Sequence, residues 1–145
     1  MNRKGFTLIE LLAIIVVMGI IAVLVTPNII SSYKKSKEKS YNILIEGIKT
    51  AGENYYQECE YGDLADSSKY GSLSCSINDR SNTSVVSLGN LAKLGILKAS
   101  NNNVINPMTN KPINDCQITI TKNVDENYKV TYTIIGNTNC PEELQ

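Results

Sequence analysis

Residues 6–25, FTLIELLAIIVVMGIIAVLV, form a run of 20 in which only Thr7, Glu10 and Gly19 break the apolar series. Wound as a helix, such a run is about 30 Å long, the thickness of a bilayer's hydrocarbon core. Glu10 is the misfit. A carboxylate in hydrocarbon is costly, and charged residues inside membrane segments usually carry function. Three readings compete. A secretory signal peptide would have a shorter apolar region and a small-x-small cleavage site, which Ala22-Val23-Leu24 does not supply. A plain transmembrane anchor fits the length but leaves Glu10 without a purpose. The third reading places a cut before the apolar run and keeps that run in the mature chain.

The residues that favour the third reading are Gly5-Phe6-Thr7-Leu8-Ile9-Glu10, preceded by the basic pair Arg3 and Lys4. They resemble the leader-peptidase site of type IV pilins and of the pseudopilins of type II secretion and competence systems. The resemblance implies a leader, residues 1–5, removed between Gly5 and Phe6, and N-methylation of the new N-terminal Phe6. It covers roughly the first 30 residues; beyond them only the general architecture matches. Cleavage would create an α-amino group with a reference pKa of about 7.7–8, largely cationic near neutrality. Glu10 lies four residues on, one helical turn away on the same face. The family implies that Glu10 of one subunit pairs with the Phe6 amine of another, so that the carboxylate specifies register during assembly. The simpler alternative is that Glu10 reaches the cytoplasmic interface, about 6 Å along the helix from Phe6.

The tract YKKSKEK sets Lys34, Lys35, Lys37 and Lys39 just beyond the apolar run. The positive-inside rule alone would put the C-terminal part in the cytoplasm. The cysteines and the leader motif argue the reverse, leaving the lysines as a solvated helix face or a contact to anionic lipid. Pro27 removes a helix hydrogen bond and is expected to kink or loosen the helix. Pilins carry a Pro and an upstream Gly in similar places. That likeness implies that Gly19 and Pro27 bracket a stretch able to unwind in a filament.

Helical spacing resumes with Ile30, Tyr33, Tyr41, Leu44, Ile48, Ala51, Tyr55 and Cys59 on one face. Lys34, Lys35, Glu38, Asn42, Glu46, Lys49 and Glu53 occupy the other, so the second half of the helix is amphipathic. Residues 60–84 are rich in Gly, Ser and Asp and read as a long loop. Ser87 then opens a short helix with Leu88, Leu91 and Leu94 on one face and Gly95 at its end. Strands are expected from Cys116 to Lys122 and from Tyr128 to Ile134, the second with Tyr128, Val130, Tyr132 and Ile134 together. The NVDEN stretch between them reads as a hairpin turn.

The chain contains no His, which removes the usual general base and the commonest metal ligand. Its 14 basic and 14 acidic residues balance, giving no whole-molecule attraction for nucleic acid. Cys59, Cys75, Cys116 and Cys140 are even in number, widely spaced and never C-x-x-C, a pattern suiting disulfides better than zinc. A Cys59–Cys75 bridge would tie the loop to the helix end. An antiparallel hairpin would bring Cys116 and Cys140 together. Asp63, Asp66 and Asp79 are scattered, and no loop has EF-hand spacing. No metal, cofactor or catalytic group is expected, and the chain does not read as an enzyme.

The expected fold is α+β, a long N-terminal helix packed on a small antiparallel sheet in a disulfide-stapled head. The expected divisions are residues 1–5 as leader, 6–26 as transmembrane and assembly helix, 27–60 as its amphipathic continuation and 61–145 as head. The resemblance implies a single pass of the cytoplasmic membrane with the head outside, then an extracellular or periplasm-spanning filament. Such a filament serves adhesion or motility, DNA uptake or protein secretion. The partners implied are further copies of the chain, related minor pilins, the prepilin peptidase and methylase, an assembly platform with its ATPase, and the lipid bilayer. Nucleic acid enters only through a DNA-uptake pilus. The alternative function is a membrane-tethered surface module that binds a ligand without polymerising.

Overall fold

A computed structural model describes residues 5–75, 77, 78 and 80–145, without the side chains of Thr26, Pro27 and Asn28. The leader residues Met1 to Lys4, and Asp79, lie outside the described residues. The chain divides into two compact units, Met1–Glu38 and Lys39–Gln145. Helix α1, Leu8–Tyr61, contributes to both.

In the first unit the described part of α1 is bare. The large apolar side chains of residues 8–25 are between 44% and 84% exposed. Among the described residues, this is the one helix long and apolar enough to cross a membrane.

In the second unit α1 is the central core element. Ile45, Ile48, Ala51, Tyr55, Tyr56 and Cys59 are buried, and Tyr41 and Leu44 pack against them. Ile45 and Tyr56 widen the expected stripe, because the helix is covered over more of its circumference than a single row of threes and fours implies. The helix rests on an antiparallel sheet in the order β1-β2-β3. These strands are Thr83–Ser87, Gln117–Val124 and Val130–Gly136. Ile118 and Ile120 are fully buried, with Val86 beside Ile118 and Ile134 beside Ile120. Gly52 is the point of closest approach. A Cβ there would lie 3.0 Å from Ile134 Cδ1 and 3.2 Å from Ile118 Cδ1. Tyr56 packs on Tyr132, ring centroids 5.5 Å apart.

Three sequence expectations need correction. The stretch read as loop up to Ser84 contains the start of β1, so the sheet has a third strand. Its Ser84 is buried, although polar, on the edge facing Tyr55. The rest of that stretch is not featureless. It holds helix α2, Ser67–Tyr70, between two 3₁₀ turns, and the Asp66 carboxylate accepts the Ser68 N–H at the head of α2. Tyr128 does not share the inner face of β3. It sits in the turn before the strand with φ +60° and is 88% exposed. The Asp125 carboxylate accepts the N–H groups of Asn127 and Lys129, and this closes the turn two residues later than simple alternation suggests.

Helix α3, Leu88–Lys93, starts where Ser87 Oγ accepts the Asn90 N–H at 3.2 Å. Gly95 follows it at φ +74°, the left-handed conformation that ends helices.

Candidate assembly site

Gly5 and Phe6 precede the first turn of α1. Phe6 is 75% exposed.

Thr7 and Glu10 build the start of the helix together. Glu10 Oε2 accepts both the Thr7 N–H and the Thr7 hydroxyl at 2.9 Å, while Thr7 Oγ1 accepts the Glu10 N–H at 3.4 Å. The Thr7 carbonyl takes the first helical bond from Leu11 N–H. This is a capping box, in which two orphan amides at a helix end are satisfied reciprocally. Thr-x-x-Glu before an apolar run is a sequence signal for it, and the composition of Thr7-Leu8-Ile9-Glu10 carried that signal. Glu10 thus has a local partner within its own chain, at an exposed helix end. A cation brought beside it would meet a carboxylate already oriented by Thr7.

Gly19 lies mid-helix with no atom near its missing Cβ. α1 is continuous through positions 19 and 27, so the monomer keeps both within helix. The side chain of Pro27 is outside the described residues.

The head holds its cysteines in two pairs. Cys59 is bonded to Cys75 with Cα atoms 5.8 Å apart, and Cys116 to Cys140 at 4.6 Å. Gly136 permits the second bridge, because a Cβ there would lie 2.6 Å from Cys140 Sγ. At the end of α1, Lys122 Nζ donates to both Glu60 oxygens at 2.6 and 2.8 Å and lies 3.3 Å from Tyr61 Oη. The Glu60 hydrogen bonds raise the Lys122 pKa. Nearer the start of the head, the Tyr41 hydroxyl donates to Glu143. Burial, then Glu143, pushes Tyr41 up to about 12. Asp63 pairs with Lys69, and Asp66 caps α2, so these acids are spent locally. No cluster of three or more metal-ligating side chains occurs among the described residues.

An exposed, capped, membrane-length helix leading into a small α+β head with two disulfides is a pilin-like fold. Residues 1–26 match the prokaryotic N-terminal methylation motif. Over 65 residues the chain is 33% identical to the type IV major pilin protein PilA of Myxococcus xanthus (strain DK1622). That match covers 44% of this chain and 30% of the relative, so less than a third of the relative's length is spanned. No solved structure matches. The motif and the relative support the type IV pilin family.

Proposed function

We propose that the chain is a structural subunit, pilin or pseudopilin, of a type IV pilus-like filament. The carrying observation is the Thr7–Glu10 cap standing directly after Gly5-Phe6, at the head of an apolar helix whose large side chains are exposed. Cleavage there exposes an amine at Phe6 beside a pre-oriented carboxylate. The enzyme that cuts also methylates Phe6 in this reading. The helix is held in lipid until an ATP-driven platform passes the subunit into a growing bundle. Apolar faces then cover one another, and Glu10 of the incoming subunit pairs with the Phe6 amine of a neighbour. Gly19 to Pro27 is the stretch that yields if the bundle requires it. The polypeptide performs no chemistry; its work is mechanical.

Intact-mass measurement of the chain recovered from cells tests the processing. The expected mass lacks residues 1–5 and carries one methyl group on Phe6. A chain beginning at Met1, or cut beyond residue 20, overturns the reading.

A further inference from the structure

Beyond the apolar segment, Lys34, Lys35 and Lys37 belong to the same compact unit as that segment. Among the described residues none of the three is in a salt bridge; those are Glu46–Lys49, Asp63–Lys69 and Glu60–Lys122. Lys37 lies instead over the Tyr33 ring, 5.3 Å from its centroid, and Tyr33 is 61% exposed. Glu38 is the one acid in the tract. At 3.6 residues per turn, Tyr33, Lys37, Lys34 and Lys35 stand at about 0°, 40°, 100° and 200° around the helix axis. The cluster spreads over about 200° of the circumference, broader than a single narrow face. A protein or a DNA duplex would be met by one face. A helix passing through a layer of charges is met from all sides.

The distances fit such a layer. Residues 11–30 make a second window of the same 20-residue length as residues 6–25, with Thr26, Pro27 and Asn28 at its exit end. Ile29 and Ile30 are 61% and 53% exposed, as bare as the residues before them. Tyr33 to Lys37 then lie about 5–10 Å past Ile30, at headgroup depth once the long lysine arms are counted. Tyrosine and lysine are the side chains that suit this depth. In the same window Glu10 falls just outside the hydrocarbon at the other interface. Sliding to residues 6–25 would draw Glu10 into lipid and lift the lysines away from the phosphates. Both charged groups favour one register.

We propose that Tyr33, Lys34, Lys35 and Lys37 form a collar that binds the anionic headgroups of phospholipids where the helix leaves the bilayer. The collar holds the stored chain with residues 11–30 in the hydrocarbon. The proposal rests on the helix spanning a membrane and not on filament formation, so it stands or falls separately from assembly.

The test uses the full-length chain in a zwitterionic detergent, offered equal amounts of phosphatidylglycerol and phosphatidylcholine. Native mass spectrometry counts the lipids retained. Wild type is expected to prefer phosphatidylglycerol, and the K34Q/K35Q/K37Q variant to lose on the order of fivefold per lysine, about a hundredfold in all. The matching triple Lys→Arg variant keeps the preference, because charge rather than shape is recognised. Equal retention of the two lipids by wild type overturns the collar. So does an undiminished preference in the Gln variant, or an Arg variant that behaves like it. A gel shift in the same detergent, with wild type binding duplex DNA more tightly than phosphatidylglycerol, would reassign the lysines to nucleic acid.

Discussion

Ile48 is fully buried on the core face of α1, whereas Ile43, five residues earlier, is 63% exposed. Ile48→Ala is expected to lower stability by about 2–5 kcal/mol through lost burial and the cavity left behind. Ile43→Ala should stay within about 0.5 kcal/mol. Urea unfolding with an unchanged slope checks both; equal losses would mean that α1 does not sit on the sheet as described. The titratable residues give a second expectation. Tyr41 is raised from its ordinary 10.0 to about 12, and Lys122 is raised above its ordinary 10.5 by the Glu60 hydrogen bonds. Burial raises Tyr55 and Tyr56 as well. Each group holds its proton more tightly folded than unfolded. Their contribution is complete below about pH 10 and fades as the pH climbs through the folded values. The head's melting temperature should therefore be level from pH 7 to 9 and fall above 10. In Tyr41→Phe the fall should be shallower; an identical slope would show that the hydroxyl does not titrate on unfolding.

At the level of elements, the residues differ in how plainly they announced themselves. Ile118 and Ile120 alternate with threonines, and Tyr132 and Ile134 do the same, so β2 and β3 were legible from period alone. Thr-Ser-Val-Val-Ser was not. It is short, its inward Ser84 is polar, and it follows a run of turn residues; only pairing with β2 makes it a strand. Tyr128 misled for a different reason. Its side chain continues the alternation, but the Asp125 carboxylate holds the backbone in a turn at that point. Gly52 could not be recognised as a contact, because what matters there is the side chain it lacks. The disulfides bear on element stability. Non-reducing peptide mapping is expected to find Cys59 joined to Cys75, Cys116 joined to Cys140 and no free thiol. A Cys75–Cys116 peptide would refute the arrangement of the head. Replacing Cys116 and Cys140 together by Ser should cost about 2–5 kcal/mol, read as a lower urea midpoint.

For the whole molecule the decisive residue is Glu10. The N-terminal methylation motif was legible because its residues are contiguous; the charge of Glu10 stood out too, while the cap it forms with Thr7 did not enter the reading. That cap makes one substitution especially informative. Glutamine serves in a capping box as glutamate does, so Glu10→Gln keeps the helix start and removes the charge. Membrane insertion and cleavage should persist, since the segment becomes less polar. If Glu10 pairs with a neighbour's Phe6 amine as proposed, filament number and length should fall sharply, because breaking a buried charge pair costs about 3–5 kcal/mol at each subunit added. Wild-type filaments in the Gln variant, seen by electron microscopy at neutral pH, would reduce Glu10 to a helix cap. A different consequence follows from the two sulfur bridges. One closes a ring around residues 59–75, the other around residues 116–140, which includes both long strands and their exposed turn. An external protease that cuts inside either ring opens the backbone without releasing a fragment. Such damage would pass unnoticed in a non-reducing gel and appear only after a thiol is added, so the head can be nicked in service and still remain one covalent piece.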